Sequence, residues 1–141
     1  MENKIEKIDI DYIFDIYKEL KGSNVEVYID VENRKEANRI VAFLHGRSER
    51  KKFNRILYEI LKHRYNDSLY QKVKGFADVA EMRFLGKFFG NARIYCKEIT
   101  EKGKKVIMVS LLYKSQRTIK DDAETKTAAE KISKLTYTIP K

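Results

Sequence analysis

Apolar and polar residues alternate strictly through two neighbouring stretches of the chain. Ala80, Met82 and Phe84 alternate with Glu81 and Arg83, and Ala92, Ile94 and Cys96 alternate with Arg93, Tyr95 and Lys97. A period of two is the mark of a β-strand with one face turned to a core. The other face of this pair then carries a glutamate, two arginines, a tyrosine and a lysine. A third run, residues 105–112, places Val106, Ile107, Met108, Val109, Leu111 and Leu112 on both sides. Such a strand is covered on both faces and belongs inside a sheet. The string Thr100-Glu101-Lys102-Gly103-Lys104 between the second and third runs supplies a tight turn, with glycine available for positive φ.

Upstream, residues 25–31 alternate as another strand. Asn33 is placed to cap a helix, with Glu36 as the reciprocal member of a capping box. Ala37, Ile40, Val41 and Leu44 form that helix's apolar face, which ends at Gly46. A second helix begins near Ser48, where Phe53, Ile56, Leu57, Ile60 and Leu61 recur at i, i+3, i+4, i+7 and i+8. Its opposite face carries Arg50, Lys51, Arg55 and Lys62. Asn66-Asp67-Ser68 breaks the helix, and Lys72-Val73-Lys74-Gly75 leads into the sheet. After the strands, Asp121 or Asp122 caps a last helix lined by Thr125, Ala128, Ala129, Ile132 and Leu135. At the other end, Ile5, Ile8, Tyr12, Ile16 and Leu20 follow a loose helical period up to Gly22, so residues 1–24 read as an N-terminal extension to a domain of residues 25–141. The predicted fold class is α+β, with two N-terminal helices and a C-terminal helix on one face of a small, mainly antiparallel four-stranded sheet and the other face open.

Composition narrows the function. The chain has 141 residues, suiting one domain, and a formal charge of +9. A basic balance of that size favours polyanion partners. No apolar stretch is long enough to span a membrane, and the charged start has no signal-peptide core. One cysteine builds no internal disulfide, which points to a reducing, cytoplasmic setting, and Cys96 falls on an apolar strand face as a core residue. No metal-ligand cluster, phosphate-loop glycine pattern or Ser/His/Asp set is present, so no cofactor or metal is expected. His45 and His63 lie near helix ends, away from the charged strand face.

That face is the candidate working surface. Arg83 and Arg93, on adjacent strands and one side, present planar forks that suit phosphate oxygens. Glu81, Arg83, Arg93 and Lys97 equally suit cross-strand ion pairs on a solvated face, worth about a few tenths of a kcal/mol each. Lys114, Gln116 and Arg117 follow the central strand where functional groups often gather.

Three strings in order resemble the RelE/HigB/ParE-type toxin superfamily, and within it the HigB-like, phage-derived subgroup. Leu69-Tyr70-Gln71-Lys72-Val73-Lys74-Gly75 followed by Val79-Ala80-Glu81-Met82-Arg83-Phe84 resembles the family's K-x-L-K-G … E-L-R-F entry to the sheet. Ala92-Arg93-Ile94-Tyr95 resembles its Y-R-V-x-Y strand, and Leu111-Leu112-Tyr113-Lys114-Ser115-Gln116-Arg117-Thr118 resembles its turn into the last helix. Ile119 stands where the family has proline, Ala92 where it has an aromatic, and residues 1–24 have no counterpart in the short members. The resemblance implies a RelE-like fold and an mRNA interferase, acting at the ribosome and silenced by a cognate helix-turn-helix antitoxin. It implies metal-independent attack of a ribose 2′-OH on the adjacent phosphate. Arg83, Arg93, Glu81, Tyr95, Lys114 and Arg117 would then be catalytic. Lys97, Tyr113, Gln116, Lys87, Arg50, Lys51 and Arg55 would bind RNA. The alternatives are a non-catalytic RNA- or protein-binding module on the same fold, or a ParE-like gyrase-inhibiting toxin.

Overall fold

A computed structural model describes residues 2–8, 22–66, 68–86, 89–114 and 122–139. Its elements are β1 (Ile5–Lys7), β2 (Val25–Asp30), α1 (Arg34–Leu44), α2 (Arg47–Leu61), β3 (Tyr70–Lys72), β4 (Val79–Phe84), β5 (Ala92–Glu101), β6 (Lys104–Lys114) and α3 (Asp122–Ser133). All six strands join one sheet in the order β1-β2-β6-β5-β4-β3. Only β2 and β6 run parallel; the other neighbours are antiparallel. The fold is α+β, as expected, but the sheet is six-stranded rather than four-stranded.

The two extra strands have simple physical origins. In the N-terminal segment, Ile5 and Ile8 are three apart, a spacing that fits a helix but also the opposite faces of a strand. Backbone pairing of Ile5–Lys7 with β2 decides for the strand, and Ile5 and Ile8 enter different cores. The rest of the predicted extension helix, residues 9–21, lies outside the described residues. Strand β3 is only three residues long, too short to show alternation, and pairs Tyr70 with Met82 and Lys72 with Ala80.

β6 sits between β2 and β5, and Val106, Ile107, Met108 and Val109 are each at most 1% exposed. Its apolar groups on both sides meet two different cores, Ile107 and Val109 on one face and Val106 and Met108 on the other. A bulge then shifts the alternation: Tyr95 pairs with Leu111 while Cys96 pairs with Val109, so Ser110 has no opposite residue. Beyond the end of β2, Leu112 turns to α1 for partners. Its N–H donates to Glu36 at 2.8 Å and its carbonyl accepts from Arg39 at 2.7 Å. Glu36 is therefore drawn away from the capping box. Asn33 still caps α1, accepting from the Glu36 N–H at 3.1 Å.

The helices take both faces of the sheet, where the sequence pattern pointed to one. Helices α1 and α2 bury Ile40, Leu44, Phe53, Ile56, Leu57 and Ile60 against Val27, Met82, Phe84, Ile94, Cys96, Ile107 and Val109. Helix α3 lies on the opposite face, packing Ala128, Ala129 and Ile132 on Val79 and Tyr95. The tail after α3 continues across that face, where Tyr137 and Ile139 cover Tyr28, Val106 and Met108. The supposedly open charged face is thus roofed in part. Among the described residues no helix is long and apolar enough to cross a membrane.

Candidate active site

The antiparallel register of β4 and β5 sets Glu81 opposite Tyr95 and Arg83 opposite Arg93, all on the α3 side. Both Nε and Nη2 of Arg83 donate to Glu81 Oε1, at 2.6 and 2.5 Å, and Gln71 approaches the same oxygen at 3.4 Å. Glu81 is only 2% exposed, and its second oxygen, Oε2, accepts no hydrogen bond. A buried carboxylate oxygen without a donor is costly, and the deficit marks a place for a ligand's donor group. Arg93 is held from above: its Nη1 donates to Thr125 Oγ1 at 3.2 Å, and that hydroxyl also shares a hydrogen bond with Tyr95 Oη at 2.9 Å.

Between the arginines, the β3–β4 turn and the first turn of α3 lies a cleft of about 760 Å³. Gln71, Glu81, Arg83 and Arg93 form its floor, Lys72, Val73, Lys74, Gly75 and Phe76 one wall, and Thr125 and Lys126 the other. The wall exists because the Val73 N–H donates to Val79 O at 2.9 Å and the Phe76 N–H to Val73 O at 3.0 Å, closing a tight turn. Gly75, at φ 89°, takes the left-handed conformation that the turn requires. Lysines therefore stand on both rims over a floor of two guanidiniums. The arrangement is an anion receptor with one carboxylate inside it.

On the far side of the sheet, Glu98 anchors a second polar cluster. Its carboxylate accepts from Tyr70 Oη at 2.5 Å and Tyr65 Oη at 2.9 Å, with Lys72 Nζ at 3.4 Å and Lys105 Nζ at 3.7 Å. Burial alone would raise its pKa; the two phenols and two ammoniums outweigh burial and hold it below the usual carboxylate value. Burial and Glu98 together push the Tyr65 phenol up to about 12. Lys72, which also donates to the Ala77 carbonyl, ties this cluster to the cleft wall.

The remaining sequence candidates fall in different places. Tyr95 is 2% exposed in the core beneath α3, with its hydroxyl engaged by Thr125. Lys97 caps the C-terminal end of α3, donating to the carbonyls of Ser133 at 3.1 Å and Leu135 at 2.5 Å, and pairs with Asp78 at 3.5 Å. Tyr113 pairs with Arg93 across β5–β6 and borders a small apolar groove against α3. Lys114 is the last residue of β6, opposite Ala92, and its side chain lies outside the described part. Lys87, Gln116 and Arg117 lie outside the described residues. Arg50, Lys51 and Arg55 are on α2, across the sheet from the cleft. Cys96 is fully buried, and burial pushes its thiol pKa up, as a core residue requires. Among the described residues no group of three His, Cys, Asp or Glu side chains could hold a metal ion.

Sequence reasoning left out the cleft's walls. Lys72 and Lys74 stand in the string that resembles the family's entry into the sheet, yet nothing in the spacing showed that this segment walls the cleft beside Arg83, with the Lys72 ammonium turned away to Glu98. Thr125 and Lys126 became part of the site only through the packing of α3. No protein-family model, curated protein or solved structure matches the chain.

Proposed function

We propose that the protein is a ribonuclease toxin that cleaves mRNA in this cleft without a metal, as a component of a type II toxin–antitoxin system. The observation that carries the reading is the direct opposition of Arg83 and Arg93 at the floor of a lysine-rimmed cleft, beside a buried carboxylate oxygen that lacks a donor. Two like charges facing each other across a ladder repel. An anion seated between them removes that repulsion and uses both planar forks.

A scissile phosphodiester seated there exposes its neighbouring 2′-OH to Glu81. The carboxylate accepts the hydroxyl proton as the 2′-oxygen bonds to phosphorus. The P–O5′ bond breaks, and the 5′-oxygen takes a proton from a rim ammonium, Lys74 or Lys126. The products are a 2′,3′-cyclic phosphate and a 5′-hydroxyl. The arginines hold the phosphorane oxygens as charge gathers on them, which is where preorganised donors have the greatest effect. The partners of this reading are mRNA, a ribosome that presents it, and an antitoxin encoded beside the toxin.

The test is induced expression with and without the adjacent reading frame, followed by analysis of RNA ends. Translation arrest with new ends inside codons, terminated as 2′,3′-cyclic phosphate, supports the reading. DNA breaks without RNA cleavage would assign the protein to gyrase poisoning instead. Binding of RNA with all ends intact would make it a non-catalytic module.

A further inference from the structure

The outer face of α2 concentrates positive charge that the protein itself does not neutralise. Arg47, Arg50, Lys51, Lys52 and Arg55 crowd into the stretch from the helix start to its middle. Arg47, Lys51 and Arg55 recur at i, i+4 and i+8, Lys62 continues the line past the helix end, and all four are exposed. Like charges at this spacing repel, and cations near a helix N-terminus oppose its dipole. Lys52, its pKa lowered by burial and then by Arg55, registers that repulsion.

The nearby acids, Glu49 and Glu59, form no ion pair with these cations among the described residues. Glu49 folds back on the helix start, so that a Cβ on Gly46 would lie 2.4 Å from its Oε1. Glu59 accepts from Arg64, at 2.6 Å, and from Asn66. Among the described residues none of the five cations forms an ion pair, whereas Arg34, Arg39, Arg64, Lys72, Arg83 and Lys97 all do.

The chemistry of the face selects its partner. A membrane-surface helix must offer apolar side chains to lipid, but Phe53, Ile56, Leu57 and Ile60 are all fully buried in the protein's own core. A protein partner would need a desolvated anchor patch. The exposed large side chain on this helix is Tyr58, 46% exposed, with the Lys62 ammonium 5.3 Å from its ring centre. Arginine forks suit phosphate oxygens. The helix spans about 22 Å, enough to follow roughly six phosphates of one strand.

We infer that the outer face of α2 is a second nucleic-acid surface that docks on the phosphate backbone of a double-helical segment. It lies across the sheet from the cleft, so a folded nucleic acid would contact the protein on two sides. The inference rests only on the nucleic-acid half of the preceding reading and needs no cleavage.

The experiment measures binding of 20-base-pair RNA and DNA duplexes to the full chain across a salt series. Lys51→Gln with Arg55→Gln should lower the slope of log affinity against log salt by about two and weaken binding at least tenfold at about 0.1 M salt. A control pair on other exposed surfaces, Lys35→Gln with Lys131→Gln, should stay within twofold of wild type. Comparison of the two duplexes identifies which backbone is preferred. Thermal midpoints at or above wild type verify that the α2 variant is folded. An unchanged slope in the α2 variant, equal losses in both pairs, no duplex binding, or binding to anionic phosphatidylserine vesicles in place of duplex would overturn the inference. Loss of duplex binding in the α2 variant, from a protein that cleaves no RNA, would remove the ribonuclease reading and leave this surface standing.

Discussion

Arg83 and Arg93 are direct partners across the β4–β5 ladder, two guanidiniums facing the same cleft from neighbouring strands. Arg83 is neutralised on one side by Glu81, while Arg93 is positioned by a hydroxyl that carries no charge. Replacing Arg93 with alanine therefore removes cross-strand repulsion together with one hydrogen bond. Cleavage should fall by about 10²–10³-fold, the usual effect of losing one charge-stabilising donor. Stability should change by less than about 1 kcal/mol. Single-turnover cleavage and thermal unfolding of the same preparation check both.

Glu81→Gln separates the two jobs of the carboxylate. The amide keeps the shape and can still accept from Arg83, but it takes no proton from a ribose hydroxyl. Cleavage should drop by about 10²–10⁴-fold, while RNA affinity holds or rises because the cleft floor loses a negative charge. A matching loss of affinity and cleavage would show that Glu81 only positions Arg83.

The Glu98 cluster makes stability depend on pH at both ends. The folded state holds Glu98 below its ordinary value of 4.5, so its contribution is complete above that pH and is lost as pH falls through the lowered value. Tyr65 is raised from 10.0 to about 12, so the unfolded chain releases its proton first and stability declines across that interval. Glu98→Gln should flatten the acid limb and cost about 1–3 kcal/mol at neutral pH. Urea midpoints from pH 3 to 12 would show it. A variant with wild-type acid dependence would place the cluster's energy elsewhere.

The β5–β6 hairpin turns through Lys102 and Gly103 at φ 51° and 79°. Both central residues of this two-residue turn are left-handed, a conformation that asparagine tolerates better than lysine. Lys102→Asn should stabilise the protein by about 0.5–1 kcal/mol, read as a midpoint rise of roughly 2–4 °C. A fall in the midpoint would mean that the lysine makes a contact outweighing its strain.

What could be read from the chain followed the physics of each segment. The alternation around Arg83 and Arg93 reported a face directly, because period two needs no tertiary information. The helical stripe of Phe53, Ile56, Leu57 and Ile60 and the central burial of Val106–Val109 were legible for the same reason. The short strands were not: three residues at β1 and β3 carry no period, and backbone pairing alone defines them. Glu36 looked like half of a capping box, yet the unpaired N–H of Leu112, remote in sequence, claimed its carboxylate. Tyr95 and Lys97 share the charged face with Arg93, but the packing of α3 converts them into a buried tyrosine and a helix cap. The cleft's lysine rims depend on a turn and a helix folding over the sheet, which is tertiary information. Sequence pattern showed which face; packing decided which residues on it remain open.

The central claim, that the two opposed arginines hold a scissile phosphate, is tested most directly by mapping RNA 5′ ends after induction of wild type and of the Arg83→Ala, Arg93→Ala variant at matched protein levels. New 5′-hydroxyl ends within coding sequence for the wild type, and none above background for the variant, is the expected result. Equal cleavage by a folded variant would contradict the account.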